Sequence, residues 1–123
     1  MAGKKFDSGK VPMHLLAPDV LMEEAEVMGF GEAKYGAWNW LEGMHWSRLV
    51  GAAMRHLLAW HSGESKDPET GFSHLAHCRC CLGMLMGYEK HGLGTDDRFS
   101  AALRRVLDGV DDGDDEKDSD KES

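Results

Sequence analysis

Trp46-Ser47-Arg48-Leu49-Val50-Gly51-Ala52-Ala53-Met54-Arg55-His56-Leu57-Leu58-Ala59-Trp60 is the stretch on which the fold turns. Leu49, Val50, Ala53, Met54, Leu57, Leu58 and Trp60 recur at intervals of three and four, which winds them onto one stripe of an α-helix. Ser47 suits the N-cap, because its hydroxyl can accept from an unpaired amide of the first turn, and Gly63 suits the stop. Downstream, Gly63-Glu64-Ser65-Lys66-Asp67-Pro68-Glu69-Thr70-Gly71-Phe72-Ser73 is polar turn chemistry. Ser73 then caps a helix that ends near Gly92, with Leu75, Leu82, Leu85 and Met86 on its apolar side. Upstream, Pro18 opens a helix over about 18–35, with Asp19 in its first turn and Gly36 as its stop. Thr95, Asp96 and Asp97 start a fourth, striped by Phe99, Ala102, Leu103, Val106 and Leu107.

The apolar set agrees with this reading. Isoleucine is absent and Val and Thr are sparse, whereas Leu, Met and Ala dominate. Four helices with short connections predict an all-α four-helix bundle. At 123 residues the chain makes one domain of modest core, and an enzyme this small is expected to complete its site by homo-oligomerisation, as a dimer or tetramer. Residues 1–107 form the expected helical domain with an N-terminal arm. Residues 108–123 read as an acidic, disordered tail.

That tail carries nine acidic and two basic residues, so most of the net charge of −8 resides there and the helical part is nearly neutral. A nearly neutral body without a basic stripe argues against nucleic-acid backbone as a partner. Three cysteines, Cys78, Cys80 and Cys81, crowd one helix and do not make a disulfide framework. No apolar run has membrane-spanning length and no signal segment stands at the start, so the expected compartment is the cytoplasm.

The chemistry-bearing residues gather around the 63–73 loop. His74 and His77 stand three apart, on one helical face, with Cys78 and Cys81 nearby and Cys80 pointing away. Glu64, Asp67 and Glu69 precede them, and His56 lies two turns before the loop on the neighbouring helix. Carboxylates plus imidazoles make a mixed oxygen and nitrogen donor set that suits Mn²⁺ or Co²⁺, while Mg²⁺ would rely on the carboxylates and water. Lys10, Lys34, Arg48 and Arg55 are cations available to phosphate. Trp38, Trp40 and Trp46 can stack a base or plug a small core; the second role is expected for at least two of them.

The ordered set Asp7-Ser8-Gly9-Lys10, Lys34-Tyr35-Gly36, Asn39-Trp40, Trp46-Ser47-Arg48-Leu49, Arg55-His56-Leu57, Gly63-Glu64, Asp67-Pro68-Glu69-Thr70-Gly71 and His74-Leu75-Ala76-His77 resembles the phage dATP/dGTP diphosphohydrolase family, a branch of the MazG-like all-α pyrophosphohydrolases. The resemblance covers roughly residues 5–90. It implies an oligomeric helical bundle, divalent metal between helices, and hydrolysis of dGTP or dATP between the α- and β-phosphates. It also implies a place in remodelling the nucleotide pool of phages that replace adenine by 2-aminoadenine, in the host cytoplasm.

One departure bears on the ligands. MazG-like enzymes cage metal with acidic pairs on two helices, but here no carboxylate lies between Ser47 and Ser62, and histidines occupy the third helix. The acidic spacing Glu23-x-x-Glu26 falls on the first helix instead. The expected metal set is therefore Glu24, His56, Glu64, Asp67, His74 and His77, with Glu64 or Asp67 accepting a proton from water. Lys10, Lys34, Arg48 and Arg55 are expected to hold the triphosphate, and Asn39 and Trp40 the base or sugar. Two alternatives remain open at this stage. One is an HD-type phosphohydrolase releasing triphosphate, against which stands the lack of any His-Asp dipeptide. The other is a non-enzymatic module with structural zinc at His74, His77 and Cys78 or Cys81.

Overall fold

The computed structural model describes residues 2–6 and 8–109. It contains helices α1 (Pro18–Tyr35), α2 (Trp46–His61), α3 (His74–His91) and α4 (Phe99–Asp108), with short 3-10 turns at Met13–Leu15 and Asn39–Glu42. The described residues hold no strand, only isolated bridges between His45 and Thr95 and between Lys66 and Ser73. The all-α expectation holds, and α1 begins at Pro18 and yields to Gly36 at φ 96° as its sequence signals require. The acidic segment 110–123 lies outside the described residues. Among the described residues no helix is long and apolar enough to cross a membrane.

Helix α3 lies in the middle, against α1 on one side and α2 on the other. Its 100° step sorts its small residues between the two neighbours. Leu49 and Ala53 of α2 pack with Cys81 and Tyr88 of α3, bordered by Trp40, Trp46 and Leu85. Val27 of α1 packs with Ala76 and Cys80, bordered by Met28 and Phe72. The thiols follow the same division: Cys78 Sγ donates to the Ala53 carbonyl of α2 at 3.1 Å, Cys80 Sγ to the Glu24 carbonyl of α1 at 3.3 Å. Tyr88 is completely buried, and its hydroxyl donates to the Trp40 carbonyl at 2.6 Å, which ties the 3-10 turn to α3. Burying a side chain of such size contributes roughly 1.5–3 kcal/mol.

The start of α2 is capped differently from the sequence expectation. Its N-cap residue is His45, and Ser47 lies inside the first turn. Asp97, fifty residues downstream, supplies the missing acceptor: its carboxylate takes the Ser47 amide at 2.9 Å and the Ser47 hydroxyl at 2.6 Å. A carboxylate at that end also meets the positive pole of the helix dipole. The segment is held there by the parallel bridge, in which the Trp46 amide donates to the Thr95 carbonyl and the Thr95 amide to the Met44 carbonyl. Gly94, at φ 72°, permits the approach, since a Cβ there would lie 2.5 Å from the Met44 carbonyl. Thr95–Asp97 consequently serve α2, and α4 begins only at Phe99. Ser73 does cap α3, accepting from the Leu75 and Ala76 amides.

The packed body is α1–α3. No residue of α4 is buried, and Phe99, Val106 and Leu107 stand largely exposed. On the body itself, Val20, Val50, Met54, Leu57, Leu75 and Leu82 line an open apolar groove of about 710 Å³ between the three helices.

Candidate metal centre

The 63–73 loop is folded by its own backbone before it presents any side chain. The Glu64 amide donates to the Ala59 carbonyl, the Gly71 amide to Asp67, the Asp67 amide to Phe72, and the His74 amide to Ser65. One oxygen of Asp67 accepts the Glu69 amide at 2.9 Å, an Asx turn of the kind that Asp-Pro sequences initiate. Gly71 sits at φ 78°, a conformation that costs glycine nothing. The turn thereby drives Asp67 inward, and it is 9% exposed despite its charge.

Opposite it, α2 and α3 bring three imidazoles together. The rings of His56 and His77 stack at a centroid distance of 4.4 Å and an interplanar angle of 6°. His77 Nε2 lies 3.6 Å from Asp67 Oδ2 and 2.9 Å from the Thr70 hydroxyl. His56, Asp67 and His77 each offer one donor atom, and these atoms lie within 4.8 Å of one another. His74 stands behind His56, with their Nδ1 atoms 2.9 Å apart, and its Nε2 reaches Glu64 Oε1 at 2.7 Å. Burial holds the His56 pKa below its ordinary value, reinforced by His77 and opposed by Asp67. Burial likewise lowers His77, again with Asp67 opposing. Both rings are thus kept in the neutral form that carries a lone pair for a cation.

Two imidazoles and a carboxylate within mutual reach fit a divalent ion that accepts nitrogen as well as oxygen donors, such as Mn²⁺, Co²⁺ or Zn²⁺, better than they fit Mg²⁺, which favours an all-oxygen shell. Among the described residues this group contains no cysteine. The thiols are buried structural groups: burial pushes Cys80 up to about 12 and Cys81 up to about 11, so neither is a ready thiolate. The alternative of a structural zinc at His74, His77 and Cys78 or Cys81 finds no support in their placement: Cys78 Sγ donates to the Ala53 carbonyl, and among the described residues no cysteine joins the histidine group.

The remaining expected site residues divide. Glu24 is turned to Arg79, whose Nε donates to it at 2.9 Å, and it does not join the histidine group. Trp40 is partly buried, its ring packed on Tyr88 and over Gly87, while Trp38 is exposed. Asn39 is exposed at the start of the 3-10 turn. Arg55 is exposed one residue before His56, and Arg48 is half-buried in the first turn of α2. Lys34, in the last turn of α1, has its ammonium 5.2 Å from the Tyr35 ring centre, and Lys10 is exposed in the turn of the arm. Thr70 was not foreseen as a site residue. Its Thr-Gly pairing reads as ordinary turn chemistry, and only the fold brings its hydroxyl to His77.

The family described as "dATP/dGTP diphosphohydrolase, N-terminal" matches residues 1–98. A dATP/dGTP diphosphohydrolase of Salmonella phage PMBT28 is 39% identical over 107 residues, which is 86% of this chain and 37% of that relative. The chain thus spans a little over a third of the relative's length. No solved structure matches it.

Proposed function

The chain belongs to the dATP/dGTP diphosphohydrolase family through its N-terminal region, and on that premise we propose that it hydrolyses dGTP or dATP to the monophosphate and pyrophosphate with a divalent metal held by His56, Asp67 and His77. The observation that carries the proposal is the convergence of those three donors from two helices and a loop. A bound ion would neutralise triphosphate charge in the transition state and make a water acidic enough to attack near neutral pH. Asp67 supplies the negative charge, with one oxygen fixed by the Glu69 amide. His56 and His77 supply neutral nitrogen, and Thr70 orients the His77 ring. Arg55, beside His56, is assigned to the triphosphate, with Lys10, Lys34 and Arg48 as further candidates. Asn39 is assigned to the base or sugar. The phage origin of the relative supports a role in a phage nucleotide pool, in the host cytoplasm.

A homo-oligomer accompanies this reading. The apolar groove and the exposed Met54, Leu57 and Leu82 offer a surface of the kind that protein partners cover. Sedimentation of wild type and Leu82→Asp tests it, the variant shifting toward monomer.

The activity is tested by incubating the protein with each nucleoside triphosphate and Mg²⁺, Mn²⁺ or Co²⁺, then identifying products. Pyrophosphate with dGMP or dAMP is expected. Triphosphate release would replace the proposal with the HD-type chemistry. Asp67→Ala and His77→Ala are expected to abolish turnover with helical circular dichroism intact; full activity in either removes that residue from the centre.

A further inference from the structure

Glu64 and His74 join the proposed centre through His56, and their hydrogen bonds run in one line. Glu64 Oε1 meets His74 Nε2 at 2.7 Å, and His74 Nδ1 meets His56 Nδ1 at 2.9 Å. A carboxylate only accepts, so the proton in the first contact belongs to His74 Nε2. With one proton per imidazole, His74 Nδ1 is then a bare acceptor. A second bare nitrogen 2.9 Å away would repel it, so the proton between the rings belongs to His56 Nδ1. That leaves His56 Nε2 as the unprotonated nitrogen. His74 is 4% exposed, so water does not compete for these contacts from its side, whereas Glu64 is half-exposed and anchors the outer end. Its backbone is fixed in turn by the bond from its amide to Ala59.

We propose that Glu64 and His74 are positioning residues that fix the proton of His56 on Nδ1 and so present Nε2 as a ready metal ligand. The inference rests on the cation site proposed above and changes the part given to two of its residues. His74 and Glu64, both expected from sequence as direct ligands, act one and two hydrogen bonds behind His56. Partners of this kind typically change metal affinity about 10–100-fold when removed. The arrangement also explains why a histidine occupies a buried position beside another histidine: it passes the orienting effect of a surface carboxylate inward.

The test is the tautomeric state of His56, read from long-range ¹H–¹⁵N correlation spectra of the metal-free protein at pH 8, together with Mn²⁺ affinity by calorimetry. In wild type, His56 is expected as the Nδ1–H tautomer and His74 as Nε2–H. Glu64→Leu, which removes the acceptor, is expected to give mixed tautomers at both rings and a 10–100-fold weaker Mn²⁺ affinity. Glu64→Gln, which keeps an acceptor oxygen, is expected to restore both. An Nε2–H tautomer of His56 in wild type would overturn the proposal, and so would unchanged tautomers in Glu64→Leu accompanied by loss of Mn²⁺. Failure of wild type to bind Mn²⁺ would instead sink the cation site, while the metal-free spectra would still decide the proton chain.

Discussion

Gly87→Ala probes whether Trp40 is a fixed part of the core or a ring free to meet a substrate. A Cβ at Gly87 would lie 2.9 Å from Trp40 Cη2 and 3.0 Å from Cζ3. Ordinary carbon contacts are about 3.5–4.0 Å, so the methyl group intrudes by roughly half an ångström or more. The ring has little room to yield: it packs on Tyr88 at 5.8 Å between centroids, and its own carbonyl holds the buried Tyr88 hydroxyl. Overpacking of this kind costs about 1–3 kcal/mol. Replacing glycine inside a helix returns about 1 kcal/mol. The net expectation is a loss of about 0–2 kcal/mol. Gly83→Ala on the same helix calibrates the second contribution, because its Cβ would meet only Glu24 Oε2 at an ordinary 3.5 Å. That variant should gain about 0.5–1 kcal/mol. The two variants should therefore differ by about 1–3 kcal/mol in urea unfolding followed by circular dichroism and tryptophan fluorescence. Equal stabilisation of both would refute the reasoning: the Trp40 ring would then move aside freely, and a place beside the nucleotide base would again be open to it.

Asp97→Ala removes the acceptor for the Ser47 amide and hydroxyl, and should cost about 1–2 kcal/mol; an unchanged urea midpoint would show that α2 starts without it. His56 and His77 bind protons less readily folded than unfolded, because burial lowers both. Stability should therefore be level above the ordinary histidine value, fall as pH drops through it toward the lowered folded values, and level again beneath them. Urea midpoints between pH 8 and pH 5 measure this, and the fall should shrink in His77→Gln; a midpoint that rises on acidification contradicts the sign. The thiols of Cys80 and Cys81, pushed up to about 12 and about 11, should react with a disulfide reagent at pH 8 only at the rate of unfolding. Rapid labelling of the folded protein would show that these groups are accessible.

What the sequence determined by itself is local and periodic. The stripe from Leu49 to Trp60, Pro18 before α1 and Ser73 before α3 set the helices, because spacing, a locked φ and a capping hydroxyl act within a few residues of themselves. The same periodicity separated Cys80 from Cys78 on α3, and the thiols do turn to different helices. It also gathered His56, Asp67 and His77 into one neighbourhood, since a short loop forces α2 and α3 to lie side by side. Tertiary structure alone decided the rest. Asp97 rather than Ser47 caps α2, because a parallel bridge returns the chain to that end after fifty residues. Glu24 belongs to Arg79, because α1 packs against α3, whose Arg79 reaches it. Trp40 packs against the core and Glu64 stands behind His74 for the same reason: hydrogen-bond partners and burial are properties of packed surfaces, which no spacing along one helix encodes.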